Sequence, residues 1–371
     1  MSQQTVLVVG ASGLIGNAVA ERLLASEDDW NVISVSRRTP EIRSSRPHRH
    51  IALDVQNADD CRSVLGGLEG VTHLVYAALF EKPGLVPGWS DADYLEINSS
   101  MLRNCLAPLC GDGKQLQHVT IFQGTKAYGF HLGPMAMPAR ERTPRHEHEN
   151  FYWVQEDYVR AKAAEHGFGW TVLRPHLVTG GPHGVAMNLP PVVGAYAAIC
   201  REEDLDFGFP GGVCAPWESV DSRVVAGAVE WAATTPAASG EIFNVTNGEV
   251  FGWRDLWPSI AEELGLPDAG DTPRRLSEFL PDHADTWSRI VKKHNLLPTT
   301  IAELLGESHH LADLVFAYGM DQQPPPAFVS SIKIRQAGFT ECMDTEVMWR
   351  YWLHDLMDRR IIPPARHGVA P

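Results

Sequence analysis

The sequence predicts an α/β fold: a doubly wound parallel sheet followed by a smaller, mostly helical C-terminal substrate domain. Three observations carry this expectation. Short β-branched runs alternate with longer amphipathic ones through the first half of the 371 residues. A glycine-rich turn joins the first such run to the first helix, and the alternation weakens from about residue 180. Strands separated by helices imply crossover units and therefore parallel pairing. The expected division is 1–179 for the sheet domain and 180–371 for the capping part, with some return of the chain to the sheet.

In order, TVLVVG reads as a strand and GLIGNAVAERLLAS as a helix with apolar residues at helical spacing. WNVISVS and HIALDV are the second and third strands. NADDCRSVLGGLEG is a helix opened by an Asn-Ala-Asp-Asp capping signal, and VTHLVYAAL is a fourth strand. DADYLEINSSMLRNCLAPLC makes a long helix before the fifth strand, QHVTIFQG. ENFYWVQEDYVRAKAAEHG is helical and WTVLRPHLV is a sixth strand. Beyond them PPVVGAYAAICREED, SRVVAGAVEWAATTP, GWRDLWPSIAEELG and TEVMWRYWLHDLMDRR read as helices, with EIFNVTNG a short strand.

Composition narrows the function classes. Hydrophobic content of 44% and charged content of 21% are those of a globular protein with a sizeable core. A formal net charge of −15 argues against a nucleic-acid partner, because no broad face would neutralise phosphates. No window of 18 apolar residues occurs, so no membrane span is expected. The four residues before the first strand-like run contain no basic residue, so no cleavable signal is expected either. The six cysteines (Cys61, Cys105, Cys110, Cys200, Cys214, Cys342) form no Cys-x-x-Cys, which indicates neither a zinc ribbon nor a disulfide framework. The expected compartment is the cytoplasm. The paired histidines His146/His148 and His309/His310 lack zinc-site spacing and read as loop residues.

GASGLIG, residues 10–16, sits between a strand and a helix and marks a Rossmann-type dinucleotide turn. Gly10 allows the tight turn, Gly13 the approach of backbone to the pyrophosphate, and Gly16 close helix packing; Ser12, Leu14 and Ile15 complete the contact. Phosphates would then meet free N–H groups at a helix N-terminus. An NAD-specific site would end its second strand in Asp or Glu, whereas Ser36, Arg37 and Arg38 stand here. Two guanidinium groups favour a 2′-phosphate, hence NADPH/NADP+, although solvated loop charges are the alternative. Asp54, with Val55, is placed for the adenine amino group, and Ala77, Ala78 and Leu79 lie beside the adenosine ribose or simply pack a strand end. Gln123, Val178 and Met187 are further expected cofactor contacts, with Asn188 beside Met187; ordinary loop packing is the alternative for the last two.

Two tyrosines share the helix after the fifth strand. Tyr158 and Lys162 form a Tyr-x-x-x-Lys pair of the short-chain dehydrogenase kind, while Tyr152 has Glu156 four residues on. Counting to Arg174 leaves 22 residues after Tyr152 and 16 after Tyr158, which places Tyr158 near the bottom of the sheet with barely one helical turn beyond it. Six residues are about 240° of helical rotation, so the two cannot share a face. Tyr152 is therefore the expected acid. Its expected partner is Lys126, one of seven lysines, in the QGTKAYG run where the fifth strand opens and where extended dehydrogenases carry a serine that here is Gly124. A lysine there can lower the phenol's pKa and bond the nicotinamide ribose; a surface lysine in a turn is the alternative.

These segments resemble one family across the chain. GASGLIGNAVAE, SRRTP, VTHLVYAAL, NSSMLRNCL, GTKAYG, ENFYWVQED, LRPHLVTG, AYAAICRE, FNVTNGEVFGW and the late AGF and IIP are similar, in order, to the progesterone 5β-reductase and iridoid synthase family of atypical extended short-chain dehydrogenases. The resemblance implies a Rossmann domain with a helical substrate domain, and NADPH-dependent reduction of the carbon–carbon double bond of an enone or enal. It matches Lys126 to the family's Thr-Gly-x-Lys-x-Tyr-like motif and the tyrosine to Asn-Phe-Tyr-Tyr-x-x-Glu-Asp. Here that run is Asn150-Phe151-Tyr152-Trp153, so Trp153 replaces one tyrosine. If the acid occupied that second slot, Tyr152 would have to substitute for it or activity would be lost.

The expected chemistry is hydride addition to the β-carbon, with the enolate oxygen held by Tyr152 and Lys126. The expected partner is a small apolar carbonyl substrate, in a pocket including Phe80 and Phe130; the sequence leaves a homodimer open. Hydride to the carbonyl carbon, making an aldehyde or ketone reductase, is the first alternative. A non-catalytic NADP(H)-binding regulatory protein, motivated by Trp153, is the second.

Overall fold

The computed structural model describes residues 4–85, 89 and 91–365. Its centre is a seven-stranded parallel sheet. Strands β1 (Gln4–Val9), β2 (Trp30–Ser36), β3 (Arg49–Ala52), β4 (His73–Tyr76), β5 (His118–Phe122) and β6 (Gly169–Pro175) follow the alternation expected from the sequence. Three short strands, β7 (Leu177–Thr179), β8 (Pro216–Trp217) and β9 (Ser219–Asp221), precede β10 (Glu241–Val245) and β11 (Phe251–Gly252). The sheet order is β10-β6-β5-β4-β1-β2-β3, so strand order reverses between β1 and β4. In such sheets ligands bind outside the carboxyl ends at that switch point.

Helices α1 (Leu14–Ala25), α2 (Ala58–Gly66), α3 (Ala92–Leu106), α4 (Phe151–His166), α5 (Leu189–Glu202) and α6 (Ser222–Thr234) are the next layer. The α2 helix starts where its capping signal stands, with the Asn57 side chain accepting from the amides of Asp59 and Asp60. One sheet face buries Val6, Val8 and Val75 against Val19 and Leu23 of α1 and Val225 and Val229 of α6. The other buries Leu7, Leu74 and Ile121 against Leu65 of α2, Leu102 of α3 and Val159 of α4. Strands buried on both faces read as continuous apolar runs, which is how β1 reads from Val6 to Val9.

The return of the chain to the sheet is made by β10 and α6. Strand β10 pairs with β6 from Glu241↔Thr171 to Val245↔Pro175, and α6 packs on α1, so this stretch of the second half belongs to the sheet domain. Periodicity reports local structure and not the partner, and a short strand in a helical context carries no address.

The helical part is α5 with α7 (Trp253–Glu263), α8 (Leu276–Asp282), α9 (Ala284–His294), α10 (Ile301–Leu305), α11 (Ser308–Val315) and α13 (Thr345–Asp358), while α12 (Ile332–Gln336) packs on β10. Its core is aromatic: Trp253, Trp257, Trp287 and Trp349 are each at most 1% exposed. No helix among the described residues is long and apolar enough to cross a membrane. All six cysteines are free thiols.

Trp349 sits edge-on to Trp253 with ring centroids 5.6 Å apart. Trp349→Ala is expected to cost about 3–5 kcal/mol through the cavity it opens. Urea unfolding checks this: the midpoint falls while the slope is kept.

Candidate active site

The carboxyl ends of the strands open into a cleft of about 630 Å³. Its floor is the switch point. Gly10 has φ +86°, and a Cβ there would lie 2.6 Å from the Ala77 carbonyl carbon and the Ala78 amide nitrogen. Gly10 N–H bonds the Val35 carbonyl at 2.8 Å and Ala77 N–H the Val9 carbonyl at 2.8 Å, which closes the turn onto its neighbours. The turn feeds α1 through Gly13, whose N-cap position carries no side-chain bond, so the first amides of α1 face the cleft unblocked. This cradle fits a pyrophosphate.

Every residue expected to touch the cofactor lines this cleft except Gly16 and Asn188. Gly16 serves packing instead: its Cβ would lie 2.4 Å from the Gly10 carbonyl oxygen. The Ser36 hydroxyl donates to the Arg38 carbonyl at 2.6 Å, and Arg38 Nη2 donates to the Gly184 carbonyl at 3.3 Å. Arg37 is exposed and has no hydrogen bond or ion pair among the described residues, so its guanidinium is available to a phosphate. Asp54 accepts from the Gln56 amide at 3.1 Å through one carboxylate oxygen. Asn188 is committed elsewhere, donating to the carbonyls of Gly180 and Pro182 at 2.7 Å each.

The start of α4 is held by buried side chains. The Asn150 side chain accepts from the Tyr152 amide at 3.0 Å. Gln123, at the end of β5, donates to Glu156 Oε2 at 2.9 Å and to the Tyr152 carbonyl at 3.3 Å, and accepts from Arg174 Nε at 2.8 Å. Gln123 therefore lines the cleft but spends its amide on structure. Burial pushes the Glu156 carboxyl up, yet its bonds to Gln123 and Arg145 and the charge of Arg160 hold it below the usual range.

Tyr152 points into the cleft, and a Cβ at Gly124 would lie 3.3 Å from its phenol oxygen. Burial, and then the Glu81 charge, raise the phenol's pKa above its ordinary value; the Gly124 amide and Arg174 pull the other way. Trp153 does not line the cleft and stacks near Arg145 at 4.9 Å. The residue that departs from the family motif is thus outside the site. Tyr158 packs against the core under α4, and Lys162 pairs with Glu165 at 2.7 Å. The chain count behind that separation was short, because α4 continues to His166, about two turns past Tyr158.

Lys126 also lines the cleft, on the short helical turn Thr125–Tyr128. Its ammonium lies 3.3 Å from the Trp89 ring centroid and 5.5 Å from that of Tyr94. Burial lowers its pKa to about 8, with Glu81 opposing.

Glu81, Trp89 and Tyr94 are among the residues that escaped the sequence reading, since nothing in the loop after β4 or in the first turn of α3 announces them. The second half also supplies a wall: residues 184–187, Gly306, Glu307, Leu311, Leu314 and Val315. Among the described residues no group of three or more His, Cys, Asp or Glu is arranged to hold a metal ion.

Comparison with known proteins follows this geometry. A family model described as a PRISE-like Rossmann-fold domain matches residues 62–304. The (S)-8-oxocitronellyl enol synthase of Antirrhinum majus is 29% identical over 380 residues, spanning 97% of this chain and 93% of the relative. The 3-oxo-Delta(4,5)-steroid 5-beta-reductase of Arabidopsis thaliana is 32% identical over 323 residues, 81% of this chain and 80% of the relative. Among solved structures, Bordetella bronchiseptica WbmH in complex with NAD+ superposes with a TM-score of 0.65 at 14% identity, covering 96% of this chain and 99% of that one. The Thermus thermophilus UDP-glucose 4-epimerase in complex with NAD gives 0.61 at 17% identity, covering 95% and 98%. At those identities the structures share the fold.

Arg37→Ser is expected to weaken NADPH binding about tenfold or more, the worth of a charge-assisted phosphate contact, with little effect on NADH. Fluorescence titration of both nucleotides reads the difference.

Proposed function

Because the chain belongs to the PRISE-like Rossmann-fold family, we propose that it reduces the carbon–carbon double bond of α,β-unsaturated carbonyl compounds with NADPH. The observation that carries this reading is one cleft onto which a dinucleotide cradle, a phenol and an ammonium all open. Bound along the strand ends, NADPH supplies the hydride. The remaining chemistry belongs to the chain's own side chains.

As hydride adds to the substrate's β-carbon, negative charge collects on the carbonyl oxygen. Donors prearranged at that oxygen lower the barrier by a few kcal/mol each. The Tyr152 phenol, kept protonated by burial and by Glu81, is such a donor, and the Lys126 ammonium is a second. A phenol made less acidic favours this reaction over carbonyl reduction. An alkoxide needs a full proton from its partner, whereas an enolate needs a hydrogen bond while water protonates the α-carbon. Phe80, Trp89, Phe130 and Phe151 give the substrate end an apolar lining, which suits a small apolar enone or enal and excludes bulk water.

Tyr152→Phe is expected to lower kcat for enone reduction by about 10²–10³ with NADPH affinity kept. Trp153→Tyr, outside the cleft, is expected to leave the rate roughly unchanged. Product identification over enals, cyclic enones, steroids and aldehydes separates the outcomes, and oxidation of NADPH by aldehydes alone would replace this reading with carbonyl reduction. Since the ammonium is cationic below its pKa and neutral above it, kcat/KM is expected to fall as pH rises through about 8. A pH profile checks that limb.

A further inference from the structure

Glu81 is the carboxylate whose charge acts on both donors. It lies in the cleft wall after β4 and is half-buried. Both carboxylate oxygens are engaged: Trp89 Nε1 donates to Oε2 at 3.0 Å and the Tyr94 hydroxyl to Oε1 at 3.0 Å. Those same two rings are the ones that face the Lys126 ammonium. Among the described residues no hydrogen-bond acceptor holds the Lys126 ammonium, which lines the cleft. The backbone of the residue before Glu81 is pinned as well. Asn98, fully buried, accepts from the Phe80 amide at 2.9 Å and donates to the Phe80 carbonyl at 3.1 Å.

We propose that Glu81 is a positioning residue for the reaction, holding the Trp89 and Tyr94 rings as a cage that orients the Lys126 ammonium over the cleft and keeps it charged. The inference rests on Lys126 being the second donor of the reduction proposed above. Cation–π contact supplies about 0.5–2 kcal/mol without consuming an ammonium N–H, so the donors remain for the substrate. A direct ion pair with the carboxylate would instead occupy them. Bonding the indole N–H to a carboxylate also makes the ring face more negative and the contact stronger.

The groups facing the ammonium can be named element by element. The loop after β4 brings Glu81 and Trp89, and α3 brings Tyr94, while Tyr152 of α4 lines the same cleft. The loop after β5 brings His131, whose pKa burial, then His148 and Lys126, push down to about 4, so it is neutral at physiological pH. Across the cleft Glu307 accepts from the Gly84 amide at 2.8 Å. Of these, Glu81 is the group that raises the Lys126 pKa against burial.

The test is a titration of Lys126 in the full chain, by NMR with lysine labelled at Cε and the resonance assigned by Lys126→Arg, beside pH profiles of enone reduction. Glu81→Gln is expected to lower the Lys126 midpoint by about one pH unit, and to move the basic limb of kcat/KM to lower pH by the same amount. Glu81→Asp, which keeps the charge, is expected to restore most of the wild-type midpoint. An unchanged midpoint in folded Glu81→Gln overturns the proposal, as does a Glu81→Asp midpoint displaced as far as that of Glu81→Gln. If Glu81→Gln does not fold, Trp89→Phe removes the indole donor but keeps a ring, and an unchanged midpoint there overturns it equally. A protein that reduces no enone but shows the expected titrations would refute the proposed function and leave the Glu81 cage standing.

Discussion

The position of the Tyr152 phenol depends on a buried chain of guanidinium, amide and carboxylate. Arg174, Gln123 and Glu156 are 4%, 2% and 1% exposed, and each bonds or pairs with the next across β6, β5 and α4. Charges so deep are tolerated when every partner is present, and removing one strands the others. The chain therefore has essentially one arrangement, and that arrangement fixes where α4 begins relative to the end of β5. Tyr152 is carried on the first turn of that helix, with its own carbonyl bonded to Gln123. The same placement accounts for Gly124. A side chain where extended dehydrogenases keep a serine would crowd the phenol oxygen.

The two cleft donors are tuned in opposite directions by one environment. Burial makes the Tyr152 phenol a weaker acid and the Lys126 ammonium a stronger one, because each moves toward its neutral form. Glu81 then raises both: it opposes ionisation of the phenol and favours charge on the amine. A single carboxylate thus favours the protonated state of both groups, the state that the proposed reduction uses. Keeping the amine on aromatic faces reconciles that charge with an apolar substrate end, since an ammonium there needs no solvating water.

The second half of the chain has two tasks that its helical pattern conceals. The stretch carrying α6 and β10 completes the sheet, and Asp221, which caps α6 through the Arg223 amide, also accepts from the Trp352 indole of the terminal helix. The aromatic core of α5, α7 and α13 then sets residues 184–187 and α11 over the strand ends as the cleft's outer wall. The substrate pocket consequently depends on packing far from it in sequence.

What the sequence determined by itself is whatever is encoded within one element. The glycine spacing at 10, 13 and 16, the Asn57 and Asn150 caps, and the apolar runs of β1 to β6 each specify a conformation through contacts a few residues apart. Hence the dinucleotide turn, the paired arginines and the helix bearing Tyr152 were legible. Tertiary structure alone decided which sheet β10 joins. It also decided that Trp153 faces away from the cleft while Tyr152 faces into it, and that Glu81, Trp89 and Tyr94 gather around Lys126. Such neighbours come from separate segments, and a contact between segments is selected by the shape and polarity of both, which neither one spells out alone.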